Sequence, residues 1–346
     1  MSAADPIRVL LLSPSFGEYG GIEAFVFAVA EGLSPDRRFE IRICFKRVAG
    51  FTLRPTLEEH ARRHGALFCD RASLELWTHI AWAGVVHAQN ASPDVALMCL
   101  AQRRPLVISI HNALADRPLL RRWSWQCAAR LADARWYNSA FVKETWEQGA
   151  TRPDSSVVAP RSCAAPTPVA VDARSGFTFL GRLVPGKGVE ILLDAYAQAG
   201  LDPVQWPLTI FGEGPLRAPL ERRWSAHAGI RFGGFVDGDA KDRAIAEAKW
   251  LVVPSHWGEP FGLVAVEARQ AGVPCLITRD GGLPEAAGRD ALVCEPGDVA
   301  SLRDALRTAA AMTGEEYRQR SLRTRQDLAS ETVPCSFYSD AYLWDP

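Results

Sequence analysis

Two glutamates eight positions apart, Glu259 and Glu267, lie in the segment SHWGEPFGLVAVE. The glycines and the proline between them predict a tight loop, with a helix beginning at Phe261–Leu263. Free N–H groups and the dipole at such a helix start favour an anion such as a phosphate. Glu267 lies more than one turn inside the helix, where its carboxylate can accept hydrogen bonds from two hydroxyls of a ribose. The pair therefore predicts a site for a phosphorylated polyol, whereas either glutamate alone is typical of a surface acid.

A second segment, FLGRLVPGKG, ends a predicted strand and leads into a predicted helix. Arg182 offers a planar guanidinium for phosphate oxygens, and Lys187 offers a mobile point charge. The glycines, including Gly188, allow the backbone to approach a ligand closely. An isolated match of this kind is equally typical of an ordinary turn with two solvated cations.

Two further features lie at predicted strand ends in the first half of the chain. Gly20 and Gly21 separate the first strand from the first helix, where the backbone can approach a phosphate, although a Gly-Gly turn alone is more often only a turn. His111 ends the strand Val107–Ile110 and is well placed for acid–base or hydrogen-bond chemistry. His87 ends another strand and is a candidate to line a ligand cleft at these strand ends.

Other familiar site patterns are weak or missing in the sequence. The segment FGEGPLR departs from a dinucleotide fingerprint because Arg217 occupies the last glycine position. Asp237-Gly238-Asp239 spells a metal-binding DxD signature, yet helix N-capping by an aspartate is the simpler interpretation. There is no Walker A sequence, and no Ser-His-Asp or Cys-His set can be assembled. We therefore expect no metal site.

Short apolar strands alternate with amphipathic helices along the chain, which predicts doubly wound parallel sheets. In the first part the predicted elements are Ile7–Ser13, Ile22–Leu33, Phe39–Phe45, Val85–Gln89, Leu106–His111, Leu119–Leu131 and Ala140–Gln148. In the second part they are Phe177–Gly181, Val189–Ala199, Leu208–Phe211, Pro215–His227, Ile230–Phe232, Asp239–Ala248, Leu251–Pro254, Gly262–Ala271, Pro274–Thr278 and Val299–Met312.

The proline-rich stretch Val158–Ser175 interrupts this alternation and predicts a linker, the alternative being a long surface loop. The length of 346 residues also fits about two domains. We predict an N-terminal domain over 1–165, a C-terminal domain over 166–325 and a helical tail over 326–346 that returns to the N-terminal domain. Ligands of such folds bind at the carboxyl ends of the strands, in a cleft.

Composition and charge exclude several classes of protein. The chain has 39 basic and 40 acidic side chains, so its net charge of −1 argues against a protein that coats nucleic acid. Residues 1–165 carry 20 basic and 16 acidic groups (+4), and residues 166–346 carry 19 and 24 (−5). Eight scattered cysteines predict buried thiols in a reducing compartment. With no signal peptide or apolar span recognised, we expect a cytoplasmic protein.

The motifs together resemble those of a known family. GG at 20–21, GRLVPGKG at 181–188, GEGPL at 212–216, EPFGLVAVE at 259–267 and GGLPE at 281–285 follow the order seen in family-4 retaining glycosyltransferases of the GT-B fold. The resemblance covers nearly the whole chain and is most specific in the C-terminal domain. It implies two Rossmann-like domains that face each other across a cleft.

The resemblance also implies a function. A nucleotide-sugar donor, linked to UDP or GDP, would bind the C-terminal domain, and a glycan, lipid-linked or small-molecule acceptor would bind the N-terminal one. Transfer would retain the anomeric configuration without a metal or other cofactor, in polysaccharide or glycoconjugate biosynthesis. The donor-binding residues so implied are Gly20, Gly21, Arg182, Lys187, Gly188, Val236, Phe261, Gly262, Leu263 and Glu267, and the catalytic ones are His111 and Glu259.

Within that scheme each group has a role carried over from the family. Arg182 and Lys187 would hold the diphosphate, and Glu267 the ribose. Glu259 would contact the sugar hydroxyls, and His111 would lie beside the reacting centre. The nucleotide base would lie near Phe235–Asp237, largely on backbone groups, while Gly21 would approach the diphosphate from the other domain.

The sequence also departs from the family and leaves alternatives open. The usual Asn-Gly-Val-Asp run before the linker is replaced by Pro160-Arg161-Ser162-Cys163, which affects the expected hinge. A nucleotide-sugar epimerase of the same fold and a non-catalytic sugar-nucleotide-binding subunit are alternative functions. The segment Pro118–Arg135, rich in arginine and tryptophan, predicts either a core-packed helix with a basic side or a peripheral contact with an anionic membrane.

Overall fold

A computed structural model describes residues 5–90, 92–114, 118–150, 152–161, 167 and 169–343. The chain forms two compact units, Met1–Ala164 with Val333–Pro346, and Ala165–Thr332. The chain returns to the first unit at Val333 and not at the predicted residue 326, because a helix of the second unit continues to Glu331. A parallel β-bridge joins Pro160 to Val333, so the returning segment pairs with the outgoing one. The family departure at Ser162-Cys163 lies outside the described residues.

The first unit is built on a seven-stranded sheet in the order β3-β2-β1-β4-β5-β6-β7. Its strands are β1 (Ile7–Ser15), β2 (Phe39–Arg47), β3 (Leu67–Cys69), β4 (Val85–Gln89), β5 (Leu106–Ile110), β6 (Ala134–Tyr137) and β7 (Ser155–Val157). Every neighbouring pair is parallel. This confirms the predicted class of sheet, although the sequence did not predict the short strands β3, β6 and β7.

Helices cover both faces of this sheet. They are α1 (Gly21–Leu33), α2 (Pro55–Arg63), α3 (Leu74–Trp82), α4 (Pro93–Ala101), α5 (Leu119–Arg130), α6 (Ala140–Glu147) and the C-terminal α14 (Ser336–Tyr342). Side chains of α1, α2 and α14 share one apolar cluster, and those of α3, α4, α5 and α6 share the other. The sequence did not predict α2 because only Leu57 and Ala61 of its residues are buried, which leaves little helical periodicity.

The second unit repeats the architecture with a six-stranded sheet in the order β10-β9-β8-β11-β12-β13. Its strands, again all parallel, are β8 (Ser175–Leu180), β9 (Leu208–Phe211), β10 (Ile230–Gly234), β11 (Ala248–Val253), β12 (Cys275–Thr278) and β13 (Leu292–Cys294). After a 3-10 turn at Val171–Ala173, its helices are α7 (Val189–Ala199), α8 (Arg217–Trp224), α9 (Gly238–Glu247), α10 (Leu263–Gln270), α11 (Leu283–Ala287), α12 (Val299–Ala311) and α13 (Gly314–Glu331).

The strand orders fix where each sheet can bind a ligand. In the first sheet, successive strands are added on one side of β1 up to β3 and then on its other side from β4 onward. The same change of direction occurs between β8 and β11 in the second sheet. Loops diverge from the carboxyl ends of the strands at such a switch point and leave a crevice. The motifs singled out in the sequence follow β1, β5, β8 and β11, so the folding of each unit gathers its own motifs at one sheet edge.

Most of the cysteines are buried thiols, as predicted. Cys44, Cys69, Cys99, Cys275 and Cys294 are free and buried, and Cys127 is free and half-buried. Cys335 is instead disulfide-bonded, so the prediction of free thiols is wrong for that residue. Cys163 lies outside the described residues. Among the described segments, no helix is both long and apolar enough to cross a membrane.

Candidate functional site

In the second unit, the two loops at the switch point are in direct contact. The backbone N–H of His256, in the loop after β11, donates to the carbonyl oxygen of Gly186 in the loop after β8 at 2.9 Å. Gly188 has φ 73°, and a Cβ at this position would collide with the carbonyl of Pro254. Glycine is therefore required where the first loop turns into α7 against the end of β11.

The contact of these loops brings Lys187 and Glu259 together. The ammonium of Lys187 lies 2.5 Å from Oε2 of Glu259, and the indole N–H of Trp257 donates to the same oxygen at 3.0 Å. The hydroxyl of Ser255 donates to it at 2.9 Å. Burial alone would raise the pKa of Glu259, but the charge of Lys187 and these hydrogen bonds outweigh burial and lower it. Glu259 is therefore an ionised carboxylate at neutral pH.

The geometry leaves hydrogen-bonding capacity for a ligand. All the side-chain hydrogen bonds that Glu259 makes within the described residues fall on Oε2, so Oε1 keeps its lone pairs to accept from hydroxyl groups. Arg182 is exposed at the end of β8 and makes no ion pair with any described residue. One loop thus presents a guanidinium that has no described ion-pair partner, and the other presents a carboxylate held by hydrogen bonds.

Asp280 holds the glutamate loop and was not identified from the sequence. Its carboxylate accepts the backbone N–H of Gly258 at 3.0 Å and that of Glu259 at 2.8 Å. The N–H of Gly282 donates to the carbonyl of Glu259 at 2.8 Å. Gly281 has φ 53°, and a side chain there would strike that same carbonyl. The GGLPE motif, quoted above only for its resemblance, therefore marks the support of the Glu259 loop.

The second predicted glutamate lies on the next helix and is also paired. Helix α10 begins at Leu263 after Gly262, whose φ of 102° favours glycine, while Phe261 is buried beneath the loop. Oε1 of Glu267 accepts from the ammonium of Lys241 on α9 at 2.7 Å. Burial alone would lower the pKa of Lys241, but the carboxylate of Glu267 raises it on balance. Lys241 is a second residue that the sequence gave no reason to single out.

The segment expected near the nucleotide base lies between β10 and α9. Phe235 is exposed and Val236 is half-buried there. Asp237 occupies the N-cap position of α9, as the capping interpretation predicts, although its side chain makes no capping hydrogen bond. Among the described residues, no group of three or more His, Cys, Asp or Glu side chains is arranged to hold a metal ion.

In the first unit, His111 follows β5 and is held by hydrogen bonds to uncharged amide side chains. Its Nε2 lies 2.8 Å from the side-chain carbonyl oxygen Oε1 of Gln89, and its backbone N–H donates to Oδ1 of Asn90 at 3.0 Å. Because that carbonyl can only accept, Nε2 carries the proton and Nδ1 is left as an acceptor. Burial lowers the pKa of His111 to about 4, so the imidazole is neutral at physiological pH. Phe25 packs edge-on against the ring at 4.9 Å.

The glycine pair starts α1, as predicted, but Gly20 already has a partner. Its backbone N–H donates to Oε2 of Glu23 at 3.2 Å, while the hydroxyl of Ser15 donates to Oε1 at the same distance. Burial raises the pKa of Glu23 despite these hydrogen bonds. The amide of Gly21, which is exposed, is therefore the better candidate to meet an anion at this turn.

His87 does not line a cleft, and that prediction is wrong. It lies inside β4 and is fully buried, with Nδ1 2.5 Å from the hydroxyl of Tyr342 and Nε2 2.7 Å from that of Ser109. Burial lowers the pKa of His87 to about 3. The returning helix α14 covers this histidine, so its role is to pair with Tyr342 in the core.

Comparison with known proteins finds a family model that matches within the second unit. Residues 174–311 match the family model described as Glycosyl transferases group 1. The chain is 35% identical over 158 residues to glycogen synthase of Mycobacterium tuberculosis, which is 44% of this chain and 38% of that protein. It is 34% identical over 152 residues to the GDP-mannose-dependent alpha-(1-6)-phosphatidylinositol dimannoside mannosyltransferase of the same species, again 38% of that protein. These matches thus span well under half of each relative.

Similarity to solved structures extends over both units. HepE of Anabaena, solved with UDP and glucose, superposes with a TM-score of 0.78 at 18% identity, covering 97% of this chain and 98% of that one. A putative UDP-N-acetylglucosamine 2-epimerase of Listeria monocytogenes superposes with a TM-score of 0.65 at 11% identity, covering 98% of each chain. At such identities the likeness concerns the fold, and it confirms the predicted GT-B class with two Rossmann-like domains.

Proposed function

We propose that this protein transfers a hexose from a nucleoside-diphosphate sugar to a hydroxyl acceptor, because residues 174–311 match the family model of glycosyl transferases group 1 and the whole chain has the GT-B fold. The observation that carries this proposal is the Lys187–Glu259 pair at the switch point of the second sheet. In this pair, the ammonium that would contact the diphosphate lies next to the carboxylate that would accept hydrogen bonds from sugar hydroxyls.

The donor would be bound by groups that already lie on the two loops. Arg182 and Lys187 meet the diphosphate oxygens, and backbone N–H groups at Gly262 and Leu263 add donors at the start of α10. Oε1 of Glu259 accepts from the sugar hydroxyls, and the open oxygen of Glu267 accepts from the ribose. The match to a mannosyltransferase that uses GDP-mannose and the fold shared with a UDP-bound protein favour GDP or UDP as the carrier.

The negative charge that develops on the departing diphosphate would lie next to these cations. When the bond between the anomeric carbon and the phosphate oxygen breaks, its electron pair stays on the departing diphosphate. Lys187, which is held by Glu259, and the start of α10 are in place before the reaction and stabilise that charge with little reorganisation, while the exposed guanidinium of Arg182 adds a second positive charge. We therefore expect transfer without a divalent metal.

Retention of configuration follows from attack on the face that the diphosphate leaves. The acceptor hydroxyl bonds to the anomeric carbon, and its proton passes to an oxygen of the departing phosphate. The neutral imidazole of His111 contributes as a hydrogen-bond acceptor at Nδ1 for a donor-sugar hydroxyl and as a fixed wall beside the reacting carbon. Glycan, lipid-linked and small-molecule acceptors all provide the hydroxyl that this scheme requires.

Release of nucleoside diphosphate should be measured with UDP- and GDP-linked glucose, mannose and galactose, with and without an acceptor mixture. We expect one donor to be consumed faster with acceptor, activity to persist in EDTA, and NMR of the product to show the anomeric configuration of the donor. An inverted product, or loss of activity in EDTA that only a metal restores, would overturn the corresponding part of the proposal.

A nucleotide-sugar epimerase is the second candidate, because a putative epimerase from Listeria monocytogenes shares the fold over 98% of each chain. An epimerase changes the sugar while acceptor is absent, whereas a transferase needs an acceptor to turn over at speed. Incubating each donor alone and examining the sugar by NMR separates the two. A new sugar epimer without acceptor would favour the epimerase.

A further inference from the structure

We propose that the outer surface of α3, α4 and α5 in the first unit is a docking surface for an anionic lipid bilayer. The apolar members of this lipid-facing patch are Leu74, Leu97, Leu100, Leu119, Leu120 and Trp123. A lipid-linked acceptor at this surface would deepen the proposed function and rests on it, whereas bilayer binding itself does not.

The members of the patch combine high exposure with positions on neighbouring helices. Leu119 and Leu120 are 83% and 82% exposed, Leu74 is 80% exposed and Trp123 is 63% exposed. Leu97 and Leu100 project from α4, which packs against both α3 and α5. The apolar side chains therefore lie on three neighbouring helices of one face of the sheet.

Helix α5 combines the two alternatives that the sequence left open, a helix packed on the core and a surface for an anionic membrane. Ala128 and Ala129, in its last turns, are buried against the core, as a packed helix requires. Its first turns instead carry the exposed pair Leu119–Leu120 and the exposed Trp123. The second half of the helix anchors it to the sheet, and the first half is left for a partner.

Charge identifies what kind of partner fits. Helix α5 carries Arg121, Arg122 and Arg130 and no acidic residue, and exposed Arg103 follows α4. The acid at the start of α4, Asp94, is already paired at 2.8 Å with the buried ammonium of Lys46. Glu75, beside Leu74 on α3, is an exposed acid, whereas Arg121 and Arg122 make no ion pair with any described residue. Leucine and tryptophan side chains beside such arginines match the boundary between acyl chains and anionic headgroups.

The location of the patch connects it with the candidate catalytic histidine. In a parallel sheet, a helix that follows a strand begins at the carboxyl edge of that strand. Helix α5 follows β5, and His111 is the first residue after β5, so Leu119 and Leu120 begin at the edge that carries His111. An acceptor hydroxyl on a lipid headgroup would thus be presented at the correct edge of this unit.

The proposal can be tested by sedimenting the full chain with vesicles of phosphatidylcholine alone and with phosphatidylglycerol added. We expect at least tenfold tighter binding to the anionic vesicles and weakening by high salt. The variant Leu119→Ser/Leu120→Ser and the variant Arg121→Gln/Arg122→Gln should each lose about tenfold. Val204→Ser/Leu322→Ser, which removes exposed apolar side chains of the second unit, should bind as the wild type does.

Three results would overturn the proposal. One is equal binding to both kinds of vesicle or to neither, and another is wild-type binding by both patch variants. The third is a concentration-dependent dimer, seen by light scattering, that Leu119→Ser/Leu120→Ser abolishes, because a second copy would then be the occupant. Stabilisation of each variant by UDP and GDP is measured in parallel, so that failure of donor binding is distinguished from failure of bilayer binding.

Discussion

The two units hold their candidate functional groups by different forces. In the second unit the groups are ionised and paired, with Lys187 on Glu259 and Lys241 on Glu267. In the first unit His111 is neutral and is fixed by the amide side chain of Gln89. Charge suits the binding of an anionic diphosphate, whereas a neutral imidazole suits the placement of hydroxyls. Under the proposed function, the second unit would bind the donor and the first would place hydroxyl groups at the reacting carbon.

The largest effect is expected from Glu259→Gln. The substitution removes the carboxylate that accepts sugar hydroxyls and leaves the ammonium of Lys187 without its partner. We expect kcat to fall roughly 1000-fold, while nucleotide affinity changes only a few-fold, since electrostatic groups at a reacting centre contribute on this scale. Steady-state kinetics and nucleotide titrations measure the two quantities. Glu295→Gln is the matched control at an exposed glutamate, and a similar loss there, or none in Glu259→Gln, would refute the assignment.

His111→Ala should have the next largest effect. We expect kcat to fall roughly 100-fold with unchanged stabilisation by nucleoside diphosphate, because the imidazole belongs to the other unit and does not bind the diphosphate. His256→Ala is the control, since that side chain is exposed and its structural contact is made by the backbone. If His111→Ala loses nucleotide binding instead, the division of labour between the units is wrong.

Asp280→Asn tests whether the loop must be held in place. Asp280 is a positioning residue, and the substitution replaces two charge-assisted hydrogen bonds with weaker ones. We expect kcat to fall about tenfold, and the losses of Asp280→Asn and Glu259→Gln to be non-additive in the double variant, because one acts through the other. Strictly additive losses would mean that Asp280 contributes only to stability. Asp304→Asn provides an exposed control.

Glu267→Gln should affect the donor KM more than kcat. A carboxylate that contacts the ribose, distant from the breaking bond, contributes to binding in ground and transition states alike. We expect KM for the donor to rise about tenfold with kcat within a factor of about three. A larger fall in kcat than rise in KM would place Glu267 in the chemical step.

The smallest expected effect concerns pH and the first unit. Burial lowers the pKa of His111 to about 4 and that of His87 to about 3, whereas in the unfolded chain they titrate near 6.5. Below pH 6.5 the unfolded state binds protons that the native state does not, so stability falls as the pH drops toward 4. Hydrogen exchange at pH 6.5 and 5 should show faster opening of β4 and β5 than of β8 and β11. Equal acceleration in both units would contradict this.

Local patterns predicted the elements and loops of the second unit better than the contacts between them. The boundaries of Val189–Ala199 and Leu208–Phe211 are as predicted, since apolar periodicity and glycines mark them clearly. The Lys187–Glu259 pair joins residues 72 positions apart, and only the strand order brings them together. Asp280 and Lys241 carry no local signal, because a lone acid or base on a helix or loop is usually solvated.

In the first unit, the local sequence did not distinguish a core histidine from a candidate site histidine. His87 and His111 both follow apolar runs in the sequence, yet one is core and the other is a candidate site residue. The difference is made by α14, whose Tyr342 reaches His87 after the chain has passed through the whole second unit. Such a long-range return cannot be deduced from the residues around either histidine. The family match likewise stops short of this unit, since it covers only residues 174–311.

The most direct test of the central claim is a thermal-shift titration with UDP, GDP and ADP and their sugars, on the wild type and on Arg182→Ala/Lys187→Ala. A ligand that binds only the native state raises the melting temperature, and at a given concentration the rise is larger when binding is tighter. We predict that UDP or GDP, with or without its sugar, raises the melting temperature of the wild type and that the double variant loses most of this shift. No shift with any nucleotide, or an undiminished shift in the double variant, would contradict the assignment of the second unit as the donor-binding domain.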